Sequence, residues 1–89
     1  MLFQLGRIVG TPAALSVLDL HGLTPTEFLD RHISGDWGEV DREDDLKNFR
    51  SVKFWEQIVS AYKVGDDDRI WIITEADRSV TTILLPSEY

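Results

Sequence analysis

The stretch Trp71-Ile72-Ile73-Thr74-Glu75-Ala76-Asp77-Arg78-Ser79-Val80-Thr81-Thr82-Ile83-Leu84-Leu85-Pro86-Ser87-Glu88-Tyr89 decides the fold of this chain. Two runs rich in β-branched and aromatic residues flank a short charged segment, the pattern of two strands joined by a turn. Immediately upstream, Gly65-Asp66-Asp67-Asp68 has hairpin-turn chemistry. Before that turn, Ile58, Ser60, Tyr62 and Val64 alternate with Val59, Ala61 and Lys63, so the two sets face opposite ways. Residues 57–64, 69–74 and 79–85 therefore read as a three-stranded meander. Its connections are too short for parallel crossovers, so its strands are expected to be antiparallel.

Working outward to the N-terminus, residues 2–9 fit a first strand, ended by Gly10 and expected at a sheet edge. Thr11-Pro12 opens a helix with an N-cap and a proline in its first turn, and Gly22 closes it. Leu15, Leu18 and Val17 supply its apolar side. Thr24-Pro25-Thr26-Glu27 reads as a capping box, followed by Phe28, Leu29, His32 and Ile33 at helical spacing up to Gly35. Asp41 is the expected N-cap of a third helix with Glu43, Asp44 and Asp45 in its first turn, where the helix dipole favours negative charge. Leu46, Phe49 and Val52 or Lys53 mark its expected inward face, and it should end near Phe54-Trp55. The predicted order is β-α-α-α-β-β-β: an α+β single domain over residues 1–89, an antiparallel sheet with helices on one face.

Eighty-nine residues bury roughly 60–65% of their unfolded surface, which limits the chain to one modest core. The absence of cysteine excludes a disulfide framework and thiolate metal sites. No apolar run approaches the roughly 20 residues a membrane-spanning helix needs. Met1-Leu2-Phe3-Gln4-Leu5-Gly6-Arg7 lacks the pattern of a signal peptide, so the expected location is the cytoplasm, away from membranes. Sixteen acidic residues against nine basic ones give a net charge of −7. That balance disfavours direct nucleic-acid binding and allows a basic protein partner or imitation of a nucleic acid. It also serves solubility, which needs no partner.

Several segments, taken in order, carry a family resemblance: Leu5-Gly6-Arg7-Ile8-Val9 with Thr11-Pro12, Gly35-Asp36-Trp37-Gly38, Ser60-Ala61-Tyr62, Trp71-Ile72-Ile73-Thr74-Glu75-Ala76-Asp77-Arg78 and Leu84-Leu85-Pro86-Ser87-Glu88-Tyr89. Together they resemble a family of small bacterial proteins found on plasmids and other mobile elements, often labelled "type I restriction endonuclease subunit M". The chain departs from that pattern at Phe49 and Trp55, where a polar residue and a glycine are more typical. The label conflicts with the chemistry. A DNA-methyltransferase subunit needs a cofactor-binding domain, a glycine-rich loop and an Asn/Asp-Pro-Pro-aromatic motif, and none is present. What the resemblance implies is an accessory gene of mobile DNA, with no assigned mechanism.

Six carboxylates fall in ten residues: Asp36, Glu39, Asp41, Glu43, Asp44 and Asp45, offset only by Arg42. Their spacing does not match a calcium-binding loop. They read either as an acidic docking surface or as a capped helix start with solvated charges. Trp37, between Gly35 and Gly38, is either a lid on the core or a partner-facing anchor. Trp71 lies in a strand apolar on both faces, which predicts a central strand covered on both sides. If helices cover one face alone, a partner or a second copy must cover the other.

His21 and His32 fall near helix C-termini, where a protonated imidazole is favoured, and lack zinc-site spacing. Glu75, Asp77 and Arg78 read as an exposed hairpin tip. Ser60, Ser79 and Tyr62 have no histidine partner in sequence context. No enzyme, metal or other cofactor is therefore expected. The reading that follows is a small acidic, non-enzymatic protein-binding module whose partner has a basic surface. Its expected contact residues are Asp36, Trp37, Glu39, Asp41, Glu43, Asp44, Asp45 and Trp71. The resemblance makes a counter-defence inhibitor of anti-restriction or anti-CRISPR type a specific form. The alternatives are an antitoxin-like or structural homo-oligomer such as a homodimer, and a small ribonuclease-like toxin using Tyr62, Arg69 and Arg78.

Overall fold

The computed structural model describes residues 1–89. The chain runs β1 (Arg7–Gly10), α1 (Pro12–Leu20), α2 (Pro25–Ile33), α3 (Arg42–Phe54), β2 (Ile58–Val64), β3 (Asp68–Thr74), β4 (Val80–Leu84) and a closing 3-10 turn at Pro86–Glu88. The sheet order is β1-β4-β3-β2. As expected, β2, β3 and β4 form an antiparallel meander and β1 takes an edge. The sheet as a whole is mixed rather than antiparallel, because β1 runs parallel to β4. The short-connection argument constrains the meander alone, whereas β1 is separated from β2 by three helices, a connection long enough for parallel pairing. No helix is long and apolar enough to cross a membrane.

The first strand is also shorter than predicted. Residues 2–6 leave the sheet: the Leu2 amide donates to the Ile33 carbonyl at 2.7 Å, and Phe3 enters the core. Gly6, at φ +64°, then turns the chain into β1 against the backbone carbonyls of Arg78 and Ser79, where a Cβ would collide. Thr11 caps α1 by accepting from the Ala14 amide at 3.1 Å, and Asp41 caps α3 by accepting from the Asp44 amide at 2.8 Å. The predicted capping box at Thr24 does not form, since Thr24 makes no side-chain cap bond. Pro25, with its fixed φ, starts α2 without it.

The three helices pack on one face of the sheet. Ala14 and Leu18 of α1 and Phe28 and Leu29 of α2 bury against Tyr62, Val64, Ile70, Ile72 and Ile83. A smaller cluster of Phe3, Trp37 and Ile58 is closed by Val52 of α3, Ile33 and Val40. Helix α3 is rotated relative to the prediction. Asn48, Ser51 and Val52 turn inward, while Leu46 and Phe49 are 60% and 46% exposed. The cause is the edge of β2. The Asn48 side-chain amide donates to the Val59 carbonyl at 2.8 Å and its oxygen accepts from the Val59 amide at 3.2 Å. Beside it, the Ala61 amide donates to the Trp37 carbonyl (3.0 Å) and the Glu39 amide to the Ala61 carbonyl (2.6 Å). Satisfying those edge groups offsets part of the lost apolar burial, because an unpaired buried peptide group costs about 1–3 kcal/mol.

The opposite sheet face, made of Val59, Ala61, Lys63, Arg69, Trp71, Ile73, Val80, Thr82 and Leu84, has no helical layer. Strand β3 is internal as predicted, but on this face Trp71 meets the ring of Tyr89, 5.4 Å away between centroids, instead of a helix, and is partly buried, with Ile73 and Leu84 buried beside it. The expectation that both faces are covered is corrected accordingly.

Candidate functional site

Helix α2 places His32 at the centre of a buried polar chain. Its Nδ1 is 2.5 Å from the Ser60 hydroxyl and its Nε2 is 2.9 Å from the Thr74 hydroxyl. Thr74 reaches Thr81 at 2.7 Å, and Thr81 donates to the Leu5 carbonyl at 2.7 Å. That carbonyl can only accept, which orders every proton in the chain. Thr81 gives its proton to Leu5, so Thr74 donates to Thr81, His32 Nε2–H donates to Thr74, and Ser60 donates to His32 Nδ1. Burial holds the imidazole neutral, lowering its pKa to about 3. Ser60 thus does have a histidine partner, contrary to the sequence expectation, and His32 is neutral rather than protonated. Three strands and a helix converge on the pair, and Ser60, His32, Thr74 and Thr81 are all sealed from solvent. The Ser60 hydroxyl is committed as a donor to a histidine that no substrate reaches.

Arg78 also departs from the prediction of an exposed tip. It is buried at φ +62°, with its guanidinium among the carbonyls of Ser51, Glu56, Glu75 and Ala76 at 2.8–3.2 Å. The rings of Phe3 and Trp55 lie 5.6 and 5.2 Å from it. It ties the C-terminal end of α3 to the β3–β4 turn. Glu75 and Asp77 remain exposed.

The structure divides the six clustered carboxylates. Asp36 pairs with Arg31 (2.6 Å), which holds its carboxyl below the usual range, and it accepts from the Gly38 amide. Glu39 pairs with Arg69 at 2.6 Å, and Asp41 is spent as the α3 cap. Glu43, Asp44 and Asp45 have no ion-pair partner. Of the two uses weighed for Trp37, it has that of a lid. It is 1% exposed, with Phe3, His32 and Phe49 around its ring, so it is not available as a surface anchor. Nearby, burial pushes the Tyr62 phenol up to about 12 while it donates to the Asp36 carbonyl at 2.6 Å.

Asp44 and Trp71, far apart in sequence, meet. They line a groove of about 330 Å³ where α3 borders the open sheet face, together with Val40, Lys47, Val59, Glu56 and Tyr89. Trp71, Tyr89, Val40 and Val59 make its walls apolar, and the carboxylates of Asp44 and Glu56 outnumber the single cation, Lys47. The sequence reading missed Tyr89 and Glu56 as members. The signal for Tyr89 was Pro86, which ends β4 and turns the chain back toward Trp71. No three histidine, aspartate or glutamate side chains converge on a point that would hold an ion. No family model matches the chain, and neither does any curated protein or solved structure.

Proposed function

We propose that the chain is a non-enzymatic protein-binding module that receives a basic side chain of its partner in the groove between α3 and the open sheet face. The observation that carries this reading is the meeting of Asp44 and Glu56 with Trp71 and Tyr89 in one concavity. Aromatic faces attract a guanidinium or ammonium and accept its aliphatic stem, and carboxylates at the rim complete the recognition. Ala61 and Thr82, partly exposed on the same sheet face, extend the contact around that anchor. The resemblance to mobile-element proteins makes a defence or nucleic-acid-handling protein, with a surface evolved to hold phosphates, the natural partner. Occupying that surface would make this chain an inhibitor.

The test is affinity capture from a bacterial lysate with the wild-type chain, Asp44→Lys and Trp71→Ser, read by mass spectrometry and followed by titration of the purified candidate. A basic protein bound by wild type and lost by at least tenfold in both variants is the expected result. Equal capture by all three would refute the groove as the docking site. The open sheet face also supports a second reading, a structural or antitoxin-like homo-oligomer. In that case Trp71→Ser, but not Asp44→Lys, would abolish self-association.

A further inference from the structure

Helix α3 carries its charge in two blocks. After Arg42, its first residue, Glu43, Asp44 and Asp45 complete the first turn, and Lys47, Arg50 and Lys53 follow with no acid among them. Its outward surface is apolar as well: Phe54 and the capping Trp55 are each 61% exposed, beside the exposed Leu46 and Phe49. Leu2 belongs to the same patch. A Cβ on Gly35 would touch both Leu2 and Phe49, and Leu2, Val52 and Trp55 line one groove of about 300 Å³. At about 100° per residue, Arg42, Leu46, Phe49 and Lys53 form one outward stripe, with Glu43 and Arg50 together along one side of it. Asp44 points away from this stripe, toward the groove beside Trp71.

We propose that this stripe is a homodimer interface, in which α3 packs antiparallel against α3 of a second copy. The two-fold axis would set Leu46 over Phe49 of the second copy and Glu43 of each copy beside Arg50 of the other. A two-fold interface must be complementary to itself, and a stripe flanked by Glu43 near one end and Arg50 near the other meets that condition only when antiparallel. Arg50 is 70% exposed and lies 3.5 Å from Glu56 and over the Phe54 ring, so the contact would exchange a surface ion pair within the chain for one with Glu43 of the second copy. The unfavourable point is the end of the stripe, where Arg42 approaches Lys53 of the second copy, and Glu43 and Asp45 lie within reach of both. Leu2, Leu46, Phe49, Phe54 and Trp55 together expose roughly 600 Å² by the usual sizes of such side chains. With the flanking charges, that approaches the roughly 800 Å² per partner of a standard interface. This surface is separate from the groove, so the proposal stands whether or not the groove binds a partner.

The test is sedimentation equilibrium of wild type, Glu43→Arg, Arg50→Glu, the double exchange and Trp71→Ser. A concentration-dependent dimer is expected for wild type. Each single reversal should weaken it on the order of tenfold, since it acts twice across the axis. The double exchange should restore it to within a few fold, and Trp71→Ser should leave it intact. A monomer at every concentration would overturn the proposal. So would a dimer indifferent to both reversals, or one lost only in Trp71→Ser.

Discussion

Acidification to about pH 5 should destabilise this protein through one residue. His32 is sealed from solvent with its pKa lowered from 6.5 to about 3. Between those values the unfolded chain binds a proton that the folded chain refuses. Stability is therefore complete above the unfolded pKa and declines as the pH falls from about 6.5 toward 3. At about pH 5 the loss is RT ln(1 + 10^1.5), about 2 kcal/mol, and its size does not depend on the folded pKa so long as that stays well below 5. In a domain of this size that is a fall of about 10 °C in Tm. The carboxylates do not intrude. Arg31 holds Asp36 low, and the Leu85 amide and Thr11 hydroxyl hold Glu88 low. Their contributions are present above the unfolded carboxylate pKa values and fade only as the pH falls further. The assay is urea denaturation followed by circular dichroism at about pH 7.5 and about pH 5, for wild type and His32→Gln. Glutamine keeps one donor and one acceptor, and its own cost cancels in the difference between the two pH values. Wild type should lose about 2 kcal/mol more than the variant. Equal losses would refute the ordered neutral-histidine chain.

Other substitutions test the packing. Asn48→Ala leaves both the amide and the carbonyl of Val59 without their partner and should cost about 1–3 kcal/mol in urea denaturation. Arg78→Met abandons four carbonyls at the junction of α3 and the β3–β4 turn and should cost about 3 kcal/mol or more, which Arg78→Lys should not recover because an ammonium lacks the planar fork. Trp71→Ser removes a partly buried ring from the face without helices, so its cost should fall below that of the fully buried Trp37→Ala, for which about 3–5 kcal/mol is expected. Differential scanning calorimetry would rank the two.

The parts of the fold legible in the sequence are those set by local chemistry. The meander, the caps at Thr11 and Asp41 and the stop at Gly35 each follow from a few adjacent residues. The direction of β1 was not legible, because its pairing with β4 spans more than seventy positions and depends on how three helices pack. The rotation of α3 was misread for a related reason. Apolar periodicity pointed Leu46 and Phe49 inward, but the open edge of β2 required the amide of Asn48, and no pattern within the helix announces that need. In the site, Asp44 and Trp71 were found separately, as an acidic residue and an exposed-face aromatic. Their shared groove depends on where α3 meets the sheet. Ser60 showed no histidine partner in sequence context, because His32 lies 28 positions away and is brought to it by the packing of α2 on the sheet.

The edge of β2, filled by Asn48 and by the backbone of Trp37 and Glu39, has a consequence for selectivity. An open strand edge accepts almost any extended peptide, because main-chain groups are the same in every sequence. Here that route is shut on the longer side, and the remaining edge, β1, offers four residues. What the molecule has left to offer is its side chains. Recognition written in side chains can be retuned one substitution at a time, with repulsion against wrong partners as easily as attraction to right ones. A scaffold of this kind can change its target while keeping its backbone.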